Sequence, residues 1–114
     1  MNERVETILE HMTEDAKDII AFTLKAGSFE SFCQDTMVRK AIIMSLLNIG
    51  ELAKHLPDEF TNAHSEIPWR SIIGMRNLTA HGYHIMNLSV VWDTATTSVP
   101  ELLVFLQNEL LDNK

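Results

Sequence analysis

The chain has 114 residues, 46% of them hydrophobic and 22% charged, with a net charge of −7 and a single cysteine, Cys33. This length fits one folded domain spanning residues 1–114, and this composition excludes an intrinsically disordered chain. One cysteine excludes an internal disulfide and a four-cysteine zinc site, and no apolar run approaches the ~20 residues of a membrane helix, so we expect a cytoplasmic protein with no membrane partner.

The first predicted helix covers residues 3–26, where apolar side chains recur every three or four positions. Gly27 is placed to end it, because glycine readily adopts the left-handed conformation of a C-terminal cap. Ser28 can start a short helical turn from which Phe29 and Phe32 close one end of the core. The apolar stripe of the first helix comprises Val5, Ile8, Leu9, Met12, Ala16, Ile19, Ile20 and Leu24.

The second predicted helix begins at Asp35 or Thr36, either of which can cap it, and ends at Leu56 before Pro57. This helix is apolar on two sides, which leaves two interpretations open. It either presents a surface to a second chain or forms the centre of a helical bundle. Its main stripe is Val38, Ala41, Ile42, Ser45, Leu46, Ile49, Ala53 and Leu56, and its flanking stripe is Ile43, Leu47 and Gly50.

Residues 57–66 have the composition of a turn, with Phe60 as an apolar anchor. The third helix is predicted to start at Pro68, which suits a first helical position, and to end near His81–Gly82. Trp69 on this helix is expected to be a core residue.

The fourth helix is predicted from Leu88 or Ser89 to Leu111, with Asn87 as its N-cap. Pro100 lacks an N–H group and crowds the preceding turn, so it should kink this helix. Trp92 is expected in the core. No segment favours a strand, so we predict an all-α fold, an antiparallel four-helix up-and-down bundle with a kinked last helix.

The acidic residues concentrate at the two ends of the chain. Residues 1–35 carry eight acids and three bases, residues 36–88 carry four acids and five bases, and residues 89–114 carry four acids and one base. Because Lys and Arg supply most of the affinity for phosphates, only the middle segment is suited to an anion. The net negative charge therefore does not argue against a nucleic-acid site in the middle segment. The charge distribution alone does not establish such a site.

One segment in the middle of the chain combines an anion binder with a proton carrier. Arg76 is always cationic and can contact two phosphate oxygens, and His81 has an ordinary pKa near neutrality. Five residues correspond to about 140° around a helix, so the two side chains do not share one face of a regular helix. A two-fold pair of chains could complete the site, and the flanking stripe offers a basis for such pairing.

At these residues the sequence resembles the HepT-like toxins of the HEPN superfamily, whose signature is Arg-x4-His-x-Tyr. Arg76, His81 and Tyr83 match that signature, and Asn77 supplies the usual polar residue after the arginine. The resemblance covers nearly the whole chain. Further matching segments are Ile49-Gly50-Glu51 with Ala53, Ile67-Pro68-Trp69, Gly74-Met75-Arg76-Asn77 and Val91-Trp92.

The resemblance implies a homodimeric endoribonuclease toxin that cleaves RNA without a metal or other cofactor. It also implies a minimal nucleotidyltransferase antitoxin as the partner, which would block the toxin by transferring AMP to Tyr83. In the implied reaction the RNA 2′-hydroxyl attacks the adjacent phosphate and leaves a 2′,3′-cyclic phosphate. His81 fits proton transfer, Arg76 fits charge stabilisation, and Asn77 could orient either the histidine or the phosphate.

Other interpretations of these residues stay open. Arg76 and His81 could be a helix-end pair, since a helix C-terminus favours a cationic histidine. Glu51 and Asn48 could face the cleft and hold Arg76 or His81, or they could lie on a solvated face with Glu51 paired to Lys54 or His55.

The remaining histidines give weaker signals. His81 and His84 form too small a set for a metal site, and His11, His55 and His64 are expected at the surface. An alternative function is a helical subunit that binds a nucleotide, or docks a nucleotidyltransferase, without catalysis. A further alternative is a structural dimer module.

Overall fold

The computed structural model describes residues 1–78 and 87–112, and within these ranges it contains helices and no strand. The helices are α1 (Glu3–Ala26), α2 (Phe29–Gln34), α3 (Thr36–Lys54), α4 (Asp58–Ala63), α5 (Trp69–Gly74), α6 (Leu88–Asp93) and α7 (Val99–Asp112). A 3-10 turn, Met75–Asn77, follows α5, and a π-helical turn, Thr94–Ser98, joins α6 to α7. The all-α prediction is confirmed. None of the described helices is long and apolar enough to cross a membrane.

The predicted caps at Gly27, Asp35 and Asn87 set helix boundaries as expected. The helix α1 ends at Gly27, whose φ of 80° is left-handed, and it begins after Asn2, a cap that the sequence analysis did not name, which accepts a hydrogen bond from the Val5 N–H at 2.8 Å. Asp35 caps α3 by accepting a bond from the Val38 N–H at 3.1 Å, and Asn87 caps α6. Side-chain oxygens satisfy backbone donors that a helix start leaves free, so these residues fix where the helices begin.

Helix α3 is the centre of the bundle, with contacts to α1, α2, α5 and the 3-10 turn. Ile43 of the flanking stripe is fully buried, and Gly50 is covered by α5 within the same chain. Two of its three residues are therefore covered by their own chain, which supports the interpretation of α3 as the bundle centre, whereas Leu47 is only partly buried. The largest fully buried side chains include Phe32, Leu9, Met12, Ile19, Ile42, Ile43, Leu46, Ile49 and Leu106.

The aromatic side chains close the ends of this core. Phe32 is fully buried and packs against Trp92 with tilted rings at a centroid distance of 5.1 Å, whereas Phe29 is 40% exposed beside them. Trp69 is buried, as predicted, and donates its indole N–H to the His64 carbonyl at 2.9 Å. Trp92 is half-buried and packs against the core from its edge.

Two predictions for residues 57–66 need correction. This segment contains the short helix α4, which the turn-like composition concealed, although Phe60 is an anchor as expected. His64 is not a surface histidine: its ring lies 4.6 Å from that of Phe60, and its Nε2 lies 3.2 Å from Glu109 Oε1. Aromatic and charged neighbours from α4 and α7 therefore enclose this imidazole, and sequence spacing alone does not reveal them.

The last predicted helix is irregular just before Pro100. The Val99 N–H bonds to the Thr94 carbonyl, five residues back, which is the π-helical pattern. Pro100 cannot donate to the Thr96 carbonyl and its ring crowds that oxygen, so the chain widens in the preceding turn. The predicted irregularity is present, and it takes the form of a π turn over residues 94–98.

Candidate active site

Arg76 lies in the 3-10 turn that follows α5. The helix α5 ends at Gly74, and the Leu78 N–H closes the turn on the Met75 carbonyl at 3.1 Å, while the predicted boundary near residues 81–82 lies outside the described residues. A 3-10 turn winds more tightly than an α-helix, so the angles expected for an ideal helix do not apply between Arg76 and later residues.

The close approach of this turn to α3 depends on Gly50. A Cβ atom at residue 50 would lie 2.6 Å from the Arg76 backbone nitrogen, 2.9 Å from the Ile72 carbonyl oxygen and 3.2 Å from the Ile73 carbonyl oxygen. No other residue type fits against those backbone atoms without moving them. Gly50 therefore lets α3 hold the backbone of Arg76 at a fixed distance.

Glu51, the next residue on α3, pairs with the Arg76 side chain. Glu51 Oε1 lies 3.4 Å from Arg76 Nε, with the two side chains 48% and 32% exposed. A pair this exposed contributes about 0.2–1 kcal/mol, so it orients the guanidinium more than it stabilises the fold. Glu51 thus contacts Arg76 from an exposed face of α3, and its place in a catalytic cleft stays a prediction.

A groove of about 370 Å³ lies beside this ion pair, between α1 and α3. Asn48 and Glu51 line it from α3, and His11, Glu14 and Asp15 line it from α1. Burial, reinforced by the neighbouring Asp18 and Glu14 carboxylates, raises the pKa of Asp15 above its ordinary value of 3.8, while His11 acts in the opposite direction. This side of the ion pair therefore disfavours a phosphate and favours neutral or cationic groups.

The raised pKa of Asp15 predicts a pH-dependent penalty on the fold. The folded state binds the Asp15 proton more tightly than the unfolded state, so the penalty is absent below pH 3.8 and grows as the pH rises through the raised pKa. Asp15→Asn should therefore raise the free energy of unfolding at pH 7, within about 0.5 kcal/mol. Urea melts from pH 3 to 7 should show the gain disappearing in acid, with Glu10→Gln on the same helix as control. A gain that is constant with pH would contradict this.

The other predicted site residues are distributed as follows. Asn77 is exposed at the end of the 3-10 turn, one residue beyond Arg76. Asn48 is exposed one turn before Glu51 on α3. His81, Tyr83 and His84 lie outside the described residues, so the contact between Arg76 and His81 stays a prediction. Within residues 1–78 and 87–112, no group of three His, Cys, Asp or Glu side chains is placed to hold a metal ion.

Sequence reasoning did not find the α1 side of the groove. Glu14 and Asp15 come from a helix whose apolar stripe was the only feature interpreted, and their place beside Glu51 depends on how α1 packs on α3. Two adjacent carboxylates on the polar face of α1 were the available signal, but adjacent charges are common on solvated helices.

A family model described as ribonuclease HepT-like matches residues 5–109 of the chain. A protein of Caldanaerobacter subterraneus subsp. tengcongensis, provisionally named an RNase, is 39% identical over 82% of this chain and 83% of its own length. A protein of Methanocaldococcus jannaschii, also provisionally named an RNase, is 36% identical over 84% of this chain and 78% of its own length.

A Thermococcus cleftensis protein, named a probable ribonuclease HepT, is 36% identical over 82% of this chain and 84% of its own length. No solved structure matches the chain significantly.

Proposed function

The chain belongs to the HepT-like ribonuclease family, and from this membership we propose that it is an endoribonuclease toxin, cleaving RNA in the cytoplasm through Arg76 and His81 without a metal ion. The observation that supports this proposal most directly is the position of Arg76. Its guanidinium is oriented by Glu51, its backbone is held against Gly50, and its side chain stays partly exposed.

In the proposed reaction the RNA supplies its own nucleophile. A base removes the proton from a 2′-hydroxyl, the 2′-oxygen bonds to the adjacent phosphorus, and the bond from phosphorus to the 5′-oxygen breaks. The leaving 5′-oxygen takes a proton, and a 2′,3′-cyclic phosphate remains. His81 transfers protons, a role typically worth about 10²–10⁴-fold in rate.

Arg76 stabilises the charge that builds up on the phosphorus oxygens. A guanidinium has five N–H donors, so the contact of Nε with Glu51 leaves donors for phosphate oxygens. The acidic groove on the α1 side repels phosphate, which directs the RNA backbone to the other side of Arg76. In this proposal Asn77, which is exposed at the end of the same turn, orients the phosphate or His81.

We further propose that the active form is a homodimer, in which two copies of Arg76 and His81 share one cleft. Because Ile43 and Gly50 of the flanking stripe are buried within their own chain, we place the contact on another surface of α3. Met37 and Met44 lie seven residues apart on one exposed face of α3, 81% and 56% exposed, and that face continues to Glu51. Apolar side chains in this arrangement are suited to an isologous contact beside the site.

The proposed regulator is a minimal nucleotidyltransferase antitoxin that transfers AMP to Tyr83. The added phosphodiester is negatively charged and bulky, and it would lie two residues from His81, where RNA phosphates enter. We expect that co-expression with a neighbouring nucleotidyltransferase adds one AMP to the intact mass and that peptide mapping places it on Tyr83. Tyr83→Phe is the control, and neutralised toxicity with an unmodified Tyr83 would contradict the modification and indicate inhibition by binding.

The orientation of Arg76 by Glu51 can be tested separately. Glu51→Gln keeps the shape of the side chain but removes the charge that pairs with the guanidinium. We expect kcat to fall about tenfold, because a less ordered Arg76 binds the transition state less well, with a change in stability below about 1 kcal/mol. Glu59→Gln on α4 is the control, and an unchanged kcat in Glu51→Gln would show that Arg76 needs no orienting carboxylate.

A second candidate function follows from the acidic groove. Three carboxylates, those of Glu14, Asp15 and Glu51, line this groove, and Glu51 joins it to Arg76, so an anionic substrate is disfavoured on that side. This observation favours a non-catalytic helical subunit that docks a nucleotidyltransferase or holds a nucleotide. Partner binding by unmodified protein that cleaves no class of RNA would support it over the ribonuclease.

A further inference from the structure

A second groove, of about 280 Å³, lies between the α5 segment and the last helices. Ile67, Pro68 and Met75 form an apolar wall on one side of it. On the other side it meets the π turn, where Thr94 and Ser98 line it. Such a turn is wider than an α-helical one and is commonly found at functional positions in helices.

The rim of this groove is acidic. Glu66 and Glu101 lie on its two sides, and none of the described residues that line it is Lys, Arg or His. The adjoining residues 88–112 carry four acids, Asp93, Glu101, Glu109 and Asp112, and no Lys or Arg. An apolar groove between two carboxylates attracts a group that combines apolar surface with positive charge, and it repels nucleic acid.

We propose that this groove is the docking site of a protein partner that inserts one apolar side chain flanked by Lys or Arg. The volume is just below the ~300–1,000 Å³ of small-molecule sites, so it suits a single anchoring side chain better than a cofactor. Anchors of this kind, filling a pocket inside a polar rim, supply much of the binding energy of protein interfaces. The flanking cation would pair with Glu66 or Glu101.

A second copy of this chain is a less suitable occupant. Leu24 is 77% exposed and precedes Lys25, so together they supply the apolar side chain and the adjacent positive charge that the groove requires. However, Leu24 lies in the last turn of α1, whereas the groove lies beside α5 and α7, so the contact would join unlike surfaces. Such heterologous contacts generate open chains or rings in place of a two-fold dimer.

The test is an NMR titration of the ¹⁵N-labelled full chain with three blocked tripeptides. The probe is acetyl-Lys-Leu-Arg-amide, compared with Lys-Gly-Arg, which lacks the apolar side chain, and Glu-Leu-Glu, which reverses the charge. We expect the amide signals of Ser71, Met75, Ser98 and Glu101 to shift with the first peptide and to stay in place with the other two. Equal shifts with all three peptides, or shifts elsewhere, would overturn the proposal.

Two variants make the assignment specific. Combined Glu66→Gln and Glu101→Gln should weaken binding of the Lys-Leu-Arg probe about fivefold, and Ser98→Trp, which fills the groove, should abolish it. Glu30→Gln on α2 is the control for loss of an exposed carboxylate. Unchanged binding in the double variant would refute the charge argument.

Light scattering on the same samples distinguishes the occupants. The expected mass is the same for wild type and Ser98→Trp, and a loss of assembly in Ser98→Trp would assign the groove to a second copy and overturn the proposal. None of these measurements uses RNA, so a failure here is separate from a failure of the proposed ribonuclease activity.

Discussion

His81→Ala is expected to lower the rate of RNA cleavage by about 10²–10⁴-fold, because the proposed reaction loses its proton carrier. Arg76→Ala should lower it by about 10²–10³-fold, the usual effect of removing one group that stabilises transition-state charge. The two losses should not add in the double variant, because both residues act in one step. Single-turnover cleavage of a labelled RNA, with circular dichroism to confirm folding, measures all three.

The chain contains a suitable control for Arg76. Arg70 is exposed on α5, six residues earlier, and has the same charge without belonging to the proposed site. Arg70→Ala should leave cleavage within about twofold of wild type if Arg76 acts locally. An equal loss in both arginine variants would mean that general attraction of RNA, and not a site at Arg76, accounts for the effect. Full activity of folded His81→Ala would refute the assignment of that residue.

Gly50→Ala is expected to destabilise the fold and impair the site together. The added Cβ would lie 2.6 Å from the Arg76 nitrogen, and that neighbour is backbone, so the turn and α3 must move apart. Overpacking of this kind costs about 1–3 kcal/mol. A displaced turn also separates Arg76 from Glu51, so cleavage should fall by about 10²-fold, the cost of a misplacement near 1 Å. Urea melts and cleavage by the folded fraction measure the two effects.

Gly74→Ala is the matched control for this substitution. Gly74 ends α5 only two residues before Arg76, yet a Cβ there would meet nothing within 4 Å. Its φ of −61° is helical, so alanine should stabilise the protein by about 0.4–1 kcal/mol and leave cleavage unchanged. If Gly50→Ala melts like wild type and cleaves RNA at the wild-type rate, then α3 does not hold the turn as the distances indicate.

The main helices could be predicted from the sequence because signals close to each helix in the chain determine where it forms. The apolar spacing of α1 and the caps at Asn87, Asp35 and Gly27 act within a few residues of themselves, and α1 has its predicted bounds. Helix α4 was missed because its six residues make fewer than two turns, too few to show a period. The π turn before Pro100 could be expected as a kink, although the form of the irregularity depends on packing against α1.

The site was predictable only in part. Arg76 and Glu51 could each be identified from sequence, but their ion pair depends on the approach of α3 to the 3-10 turn. That approach depends on Gly50, which was interpreted from sequence only as part of the flanking stripe, either a basis for pairing between chains or part of a central helix. A glycine beside a charged residue does not reveal which backbone will pack against it, because its partner lies on a distant segment. His64 was misplaced for the same reason, since α7 supplies Glu109 and Phe105.

The central claim is that this chain cleaves RNA by itself without a metal ion. The most direct measurement incubates wild-type protein, shown by intact mass to be free of AMP, with total RNA in excess EDTA, and then analyses the new RNA ends. We predict cleavage at an undiminished rate, with 2′,3′-cyclic phosphate and 5′-hydroxyl ends. Absence of cleavage by the unmodified protein, or cleavage that stops in EDTA, would contradict the proposed mechanism.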